Sequence, residues 1–334
     1  MADRVIICGM RRGGSLVPQS EILQMAGRCG RQASAISSPA VFLLSEDEDL
    51  ATAEQYLHSK PPSVMSQLDD VERAMFHVLP EVCDGKVTDQ AGVQQWYSRS
   101  FAAATGMQLD AAQVVARLKE TGMVSMCGDR MMPLPLARVS TSYLFHPVVL
   151  QRWVYKVENV SIADRMNDSV SLAWLLGRKD AVRFQPDFEI LEEFTSMCDA
   201  YGYDMVAGEV LSGLVYYCLL TQRRPPAMKY QMLEYRRDAP RVVSALKKMD
   251  GLHNWGCHKA WNTLQLQLVH GVDNETAALM LNTGIRSKSV ALQLNDMGFS
   301  TREDIAAGID TIKDAGDPQL VRRVLELVGD GTNT

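Results

Sequence analysis

The chain has 334 residues, 46% of them hydrophobic and 22% charged, which is the composition of a folded protein rather than a disordered one. The formal net charge of -6 argues against a protein that coats nucleic acid through bulk positive charge. Seven scattered cysteines without a C-x-x-C pair favour reduced thiols over a disulfide framework. No apolar run is long enough to span a bilayer, and the N-terminus lacks the form of a signal peptide. The sequence therefore predicts a cytoplasmic or nucleoid-associated protein that is neither secreted nor bound to a membrane.

The first segment of the chain has the pattern of a small α/β layer. Residues 5–8 and 40–44 are short apolar runs that predict strands, and Ser20 is a candidate N-cap for a helix between them. The chain then becomes acidic and is broken by prolines at residues 61 and 62. We place a partial α/β segment at residues 1–50 and a linker at residues 51–62.

The next segment, residues 63–153, combines helices with two short strands. Helical periodicity covers residues 64–79, 94–104 and 109–120, and the last of these ends in a Thr-Gly pair that is typical of a helix C-cap. Two short strands are predicted on either side of Gly128 and Asp129. Three helices and a β-hairpin are the plan of a winged helix.

The remainder of the chain is predicted to be helical. We divide it into a helical bundle at residues 154–268 and a set of short helices at residues 269–334. Glycines and prolines predict breaks between helices at Gly177, Pro186, Gly202, Pro225–Pro226, Pro240, Gly251, Gly284, Gly298 and Gly308. The predicted fold class is mainly α.

The most specific string is Q-x-x-G-R-x-G-R at residues 24–31. In a helix, Arg28 and Arg31 would share one face, while Gly27 and Gly30 would allow close approach to the backbone. Guanidinium groups give planar, multi-donor contacts to phosphoryl oxygens, so the string suits a polyphosphate. The alternative is an ordinary solvated basic turn.

This string, QMAGRCGR, resembles motif VI of superfamily 2 helicases. The flanking ADRVIICG and AVFLLSEDED resemble the closing stretch of the second RecA-like domain in the Ski-like DNA-repair branch, which includes archaeal fork-repair helicases and the helicase half of DNA polymerase theta. Further along, MPLPLARVSTSYLFHP resembles the end of that branch's winged helix. TGIRSKSVALQLNDMGFSTREDI resembles its C-terminal helix-hairpin-helix.

The resemblance implies that the string acts on ATP and Mg²⁺ held by a neighbouring motor domain. The implied catalytic residues are Gln24, Arg28 and Arg31, with Gly27 and Gly30 at the nucleotide. The 334 residues contain no G-x-x-x-x-G-K-[ST] phosphate loop, so we expect the first motor domain and most of the second to be supplied by a separate chain. The acidic end of AVFLLSEDED predicts a linker, with a metal-binding box as the alternative.

Three elements are implied to contact DNA. Residues 9–17 correspond to a β-hairpin that separates strands, where Arg11 and Arg12 would face phosphates; a mobile basic loop is the alternative. The basic stretch 236–248 corresponds to a ratchet helix that contacts single-stranded DNA, and the candidate residues are Arg237, Arg241 and Lys248.

The ratchet assignment lacks an obvious aromatic side chain on which a base could stack. The nearest candidates, Trp255 and Trp261, lie further along the chain, and a solvated charged face remains the alternative. The third element is the turn at residues 283–288, where Gly284, Arg286 and Lys288 would hold a phosphate at a helix N-terminus. Its alternative is a plain αα-hairpin.

These features favour the DNA-engaging C-terminal portion of an ATP-dependent helicase that acts on single-stranded or forked DNA. The alternative is a non-enzymatic DNA-binding or adaptor protein descended from a helicase. His253, Cys257 and His258 lack an evident fourth ligand, so no metal site is predicted.

Overall fold

A computed structural model of the chain describes residues 4–12, 15–28, 40–44, 47–60, 65–68, 70–159, 162–179, 184–315 and 317–329. Over these residues the fold is mainly α, as the sequence predicts. The chain divides into two compact units, Met1–Gln67 and Leu68–Thr334.

The first unit contains a small α/β layer. Its elements are β1 Val5–Cys8, β2 Arg11–Arg12, β3 Ser15–Leu16, α1 Gln19–Ala26, β4 Ala40–Leu43 and α2 Asp47–His58. Strands β1 and β4 pair in parallel and β2 pairs antiparallel with β3, so the predicted strand–helix–strand order is confirmed. The expected N-cap is wrong, because α1 begins at Gln19 and Pro18 precedes it; the fixed φ of proline suits a helix start.

The acidic stretch expected to begin a linker is helical in the structure. Helix α2 covers residues 47–58 and places Ala53 in a core with Ile7, Met10 and Ile22. Buried Asp49 accepts a hydrogen bond from Arg11 Nε at 3.1 Å. The reason for the helix is therefore tertiary: an apolar face and a paired carboxylate compensate for the acidic composition.

The second unit begins with helices that enclose a β-hairpin. Its elements are α3 Val71–Cys83, α4 Gln90–Ser98, α5 Phe101–Ala104, α6 Ala111–Glu120, β5 Val124–Cys127, β6 Arg130–Pro133 and α7 Pro135–Tyr143. β5 and β6 pair antiparallel around Gly128, whose φ of +59° is the left-handed conformation that a tight turn requires. The helix expected at residues 94–104 is divided into α4 and α5, because the Ser100 side chain caps the second of them.

A helical bundle follows in the chain. Its helices are α8 Pro147–Asn159, α9 Ser169–Leu176, α10 Phe188–Ala200, α11 Ala207–Leu220, α12 Lys229–His253 and α13 His258–His270. Helices α9 and α11 pack against each other, and α9 and residues 212–220 of α11 are almost completely buried. Trp153, Phe194 and Trp261 are the large side chains at the centre of the bundle core.

Two of the predicted breaks in this bundle are wrong, since Pro240 and Gly251 both lie inside the 25-residue helix α12. A proline removes one backbone donor and costs a few kcal/mol in an isolated helix. Here Val242, Leu246 and Met249 are buried, and α12 packs against α7, α11 and α13, so packing overrides the local preference.

Short helices complete the second unit. They are α14 Asn274–Thr283, α15 Lys288–Asp296, α16 Arg302–Ala307, α17 Ile309–Asp314 and α18 Pro318–Gly329. The predicted breaks are confirmed here, because Gly284 ends α14, Gly298 follows α15 and Gly308 separates α16 from α17. Leu279, Leu294, Ile305, Ile312 and Leu320 form a small core between these helices.

Aspartate side chains define where many of these helices begin. Each accepts a hydrogen bond from a backbone N–H in the first helical turn, which satisfies one of the donors that a helix leaves unpaired. The capping residues are Asp70, Asp89, Asp110, Asp168, Asp187 and Asp273.

Candidate nucleic-acid interface

Helix α12 presents one exposed, cationic face. Tyr230, Arg237 and Lys248 are exposed and lie seven and eleven residues apart, so the 100° step of a helix places all three within about 20° of one another. The opposite face of α12 carries the buried residues that pack into the bundle. The amphipathic pattern therefore orients these side chains toward solvent.

Two of the three predicted α12 cations, Arg237 and Lys248, are both exposed but differ in whether they form an ion pair. Arg237 Nη1 lies 3.0 Å from Glu234 Oε1, and both side chains are exposed. The Lys248 side chain makes no hydrogen bond or ion pair with any residue that the structure describes. An exposed ion pair of this kind is weak, so both cations can reach a phosphate at little cost.

The third predicted cation, Arg241, is held by the protein itself. Its Nη1 donates to the carbonyl oxygens of Tyr143 at 2.7 Å and Leu144 at 3.0 Å, at the end of α7. Its Nε donates to Asp238 Oδ1 at 2.6 Å, and the guanidinium lies 4.0 Å from the ring centroid of Phe145. This geometry gives Arg241 the role of joining α12 to α7, and its contact with DNA stays a prediction.

Asp238 is shared between two arginines. Arg178 Nη2 lies 2.6 Å from Asp238 Oδ2, and Arg178 is buried. Burial raises the pKa of the Asp238 carboxyl, but the Arg241 and Arg178 guanidinium groups outweigh it and hold that pKa below its ordinary value. Asp238 is thus ionised and fixes both arginines in the bundle.

The turn between α14 and α15 holds the predicted phosphate-binding residues. Gly284 has a φ of +79° and ends α14, so it serves as the left-handed C-cap of that helix. Arg286 is exposed and has no partner among the described residues. Lys288 instead donates to the carbonyls of His270 at 3.0 Å and Gly271 at 2.6 Å, at the end of α13. Of the two cations, Arg286 is the one left available to a ligand.

The N-terminal unit contains the two predicted hairpin arginines. Arg11 and Arg12 lie on β2, which pairs with β3, and residues 13–14 of the expected turn are outside the described residues. Arg11 pairs with buried Asp49, and Arg12 Nη2 lies 3.1 Å from Glu21 Oε2 on α1. Both arginines therefore have acidic partners inside their own unit.

Only part of the motif VI string lies in the described chain. Gln24 is exposed on α1, Gly27 caps its end, and Arg28 follows in a turn; Gly30 and Arg31 lie outside the described residues. Because α1 ends at Ala26, the expected shared helical face does not extend to Arg28. The exposed side chains of Gln24 and Arg28 contact no described residue through a hydrogen bond or ion pair.

Neither tryptophan considered as a base-stacking residue is free to stack. Trp261 is fully buried and donates from Nε1 to Asp250 Oδ2 at 3.1 Å. Trp255 is partly buried, stacks on His253 and donates to Glu158 Oε1 at 3.3 Å. The exposed aromatic of α12 is instead Tyr230, which sequence reasoning missed because it sought the aromatic C-terminal to the cations.

The described residues contain neither a membrane-spanning helix nor a cluster of metal ligands. No helix there is long and apolar enough to cross a membrane. No three His, Cys, Asp or Glu side chains come together there as a candidate metal site. His253 lies instead 2.8 Å from Glu158, through its Nδ1.

Comparison with known proteins finds similarity to two archaeal proteins, each described as ATP-dependent DNA helicase Hel308. The protein of Thermoplasma acidophilum is 22% identical over 332 residues, covering 93% of this chain and 48% of the relative. That of Thermococcus kodakarensis is 25% identical over 162 residues, covering 46% of this chain and 14% of the relative. No family model matches. The chain spans about half the length, or less, of the curated relatives it matches, and this distant homology supports a relationship to DNA helicases.

Proposed function

We propose that this chain is the DNA-engaging C-terminal portion of a Ski-like superfamily 2 DNA helicase and acts on single-stranded or forked DNA. The observation that carries the proposal is the exposed face of α12, where Arg237 and Lys248 lie in line on a helix whose opposite face is buried. The homology to DNA helicases, which covers most of the chain, supports the same function.

In this proposal the second unit contains three helicase modules. Helices α3–α7 with the β5–β6 hairpin form a winged helix, helices α8–α13 form the ratchet-like bundle, and the α14–α15 pair forms a helix-hairpin-helix. The winged helix is supported by the order of α3, the α4–α5 pair and α6 before an antiparallel hairpin. The last assignment is supported by the left-handed Gly284 between two short helices.

DNA contact in this proposal is made through phosphates. Arg237 and Lys248 bind the backbone of the single strand without reading its sequence. Arg286 lies beside the N-terminus of α15, where no side chain caps the first backbone N–H groups. Those N–H groups and the guanidinium together suit a phosphate oxygen.

ATP hydrolysis in this proposal requires a motor domain that carries the phosphate loop and holds Mg²⁺, supplied by a separate chain. Gln24 and Arg28 fit a role in trans, because both are exposed and neither is engaged by a described residue. Gly27 and Gly30 would lie beside the nucleotide. Arg28 and Arg31 would donate to its phosphoryl oxygens, which stabilises the negative charge that develops during transfer.

The test is DNA-stimulated ATP hydrolysis by this chain together with its motor partner, isolated by affinity purification of the tagged chain. Arg31→Ala should abolish stimulated hydrolysis by the complex and leave single-stranded DNA binding nearly unchanged. Arg4→Ala, which removes an arginine outside the motif, serves as the matched control. Hydrolysis that survives in Arg31→Ala would contradict the role in trans.

A second candidate is a non-enzymatic DNA-binding or adaptor protein in which motif VI is a relic. It is favoured by the exposed side chains of Arg237, Lys248 and Arg286, which would bind phosphates without hydrolysis of ATP. In that case Arg31→Ala would change neither hydrolysis nor binding, whereas Arg286→Ala would weaken DNA binding and its salt dependence.

A further inference from the structure

A cleft lies at the N-terminal end of α12, away from Lys248. The loop after α11 and the first two turns of α12 enclose a cavity of about 780 Å³. Arg224, Lys229 and Arg236 line it, together with Tyr230 and Pro226, and no described residue that lines it carries a carboxylate. The cleft is thus lined by positive charge and apolar surface.

The cations of this cleft are not neutralised by the protein. The side chains of Arg224, Lys229 and Arg236 make no ion pair or hydrogen bond with the described part of the chain. The Nε of Arg236 is buried and has no hydrogen-bond partner among the residues that the structure describes. A buried donor left unpaired is costly, so the site gains from a ligand that brings an acceptor.

The position of Arg236 is fixed by its surroundings. Its guanidinium lies against the backbone of Gly271, where a Cβ would come within 2.5 Å of Nη2. The carbonyl oxygen of Gly271 also accepts a hydrogen bond from Lys288 Nζ. Burial and the neighbouring Arg224 hold the pKa of Arg236 below its ordinary value, and burial with Arg224 and Arg236 does the same for Lys288. Repulsion between these cations is therefore present in the protein and would be relieved by an anion.

An exposed aromatic side chain stands beside these cations. Tyr230 is 69% exposed, and Leu233, one turn further along α12, is also exposed. Phosphate-binding cations beside an exposed aromatic ring are what proteins use to bind single-stranded nucleic acid, because every base has a face that can stack. A purely electrostatic site for a small anion would not need the ring.

We propose that this cleft binds a segment of single-stranded nucleic acid, with phosphates at Arg224 and Arg236 and a base stacked on Tyr230. The inference rests on the proposed function and extends its DNA path. Tyr230 lies on the same face of α12 as Arg237 and Lys248, so the strand can follow this face for about 27 Å. The cleft supplies the stacking residue that the sequence around Lys248 lacks.

The test measures the affinity of the whole chain for a fluorescein-labelled oligothymidylate at several salt concentrations. Tyr230→Ala should weaken binding by about 5- to 150-fold, and Tyr230→Phe, which keeps a ring, should restore it. Arg224→Gln with Arg236→Gln should lower the slope of log affinity against log salt by about 1.4, since each lost phosphate contact removes about 0.7. Arg322→Gln, an exposed arginine outside the cleft, should change neither.

If the double variant folds poorly, two measurements replace it. One uses the single variant Arg224→Gln, and the other crosslinks the wild-type chain to an oligonucleotide that contains 4-thiothymidine. A crosslink to the peptide that contains Tyr230 supports the proposal.

If Lys248→Gln weakens binding while all cleft variants bind normally, the cleft proposal is overturned and the proposed function stands. If the chain binds no oligonucleotide at low salt, both fail. Binding of polyglutamate that depends on these residues, with oligonucleotide binding unaffected, would assign the cleft to an acidic protein instead.

Discussion

The second unit contains two groups of basic side chains that differ in how their charge is compensated. Lys156, Arg178 and Arg241 each have an acidic partner and hydrogen-bond acceptors within the bundle. Arg224 and Arg236 have neither among the described residues. Arg236 and Arg241 belong to different groups although they lie five residues apart on α12, so a basic stretch alone does not identify a nucleic-acid-binding surface. The two groups differ instead in whether the cation has a largely buried carboxylate partner, as Glu209 and Asp238 are; the Glu234 beside Arg237 is exposed.

Lys156 is the extreme case of the compensated group. It is 0% exposed and its Nζ donates to the carbonyls of Trp174 at 2.7 Å and Gly177 at 3.0 Å. Glu209 Oε2 lies 2.8 Å from the same nitrogen. Burial lowers the pKa of Lys156 from 10.5 to about 8, although Glu209 favours the charged form. This lysine joins α8 to α9 and α11.

The largest change in the free energy of unfolding is predicted for the replacement of Lys156. Lys156→Met should lower the free energy of unfolding by about 3–5 kcal/mol, because the partly buried Glu209 and two carbonyls lose a partner. Chemical denaturation measures the change. Lys248→Met is the matched control and should leave the unfolding free energy nearly unchanged, since that side chain is exposed and unpaired. Equal destabilisation by the two variants would contradict the division into two groups.

The second-largest predicted effect is a change of stability with pH that arises from Lys156. Between pH 8 and pH 10.5 the unfolded chain keeps the Lys156 proton that the folded chain releases. The free energy of unfolding of the wild type should therefore rise with pH, by at most about 1.4 kcal/mol per unit, relative to Lys156→Met. The contribution is complete above pH 10.5 and is lost as the pH falls through 8. Parallel stability curves for the two proteins would show that the lysine does not titrate in this range.

Arg241 should have a smaller structural effect. Arg241→Ala removes donors from two carbonyls of the α7 end and from Asp238, so we expect a loss of about 2 kcal/mol in unfolding free energy. Arg237→Ala, four residues earlier and paired only with exposed Glu234, should have almost no effect on stability. If Arg241→Ala instead leaves stability intact and weakens DNA binding, Arg241 belongs with the uncompensated group.

The smallest effect concerns a single phosphate contact. Lys248→Gln should lower the salt slope of single-stranded DNA binding by about 0.7 and leave stability unchanged. Lys313→Gln, which removes an exposed lysine of α17 paired with Asp310, is the control for net charge. Identical slopes in the two variants would show that Lys248 contacts no phosphate.

Much of the fold could be predicted because local signals agree with it. The strands at residues 5–8 and 40–43, the hairpin around Gly128 and the helix ends at Gly284 and Gly298 all follow from local sequence. Aspartate N-caps such as Asp89 are a further local feature that locates helix starts. The unbroken α12 and the helical acidic segment α2 could not be predicted, because packing against distant residues decides them.

Only some residues of the candidate site could be predicted from the sequence. The spacing of Arg237 and Lys248 on one helical face is visible in the sequence, but the engagement of Arg241 by Tyr143 joins residues 98 positions apart. The cleft depends on a similar long-range contact, since Arg236 lies against Gly271 at the end of another helix. Charge compensation of this kind appears only once the chain is folded.

The most direct test of the account is the salt dependence of single-stranded oligonucleotide binding by the wild-type chain, with a duplex of the same length as the comparison. We predict that the single strand binds more tightly and that log affinity falls linearly with log salt, with a slope that several phosphate contacts produce. A failure to bind at low salt, or an affinity independent of salt, would contradict the assignment of the exposed face of α12 to DNA.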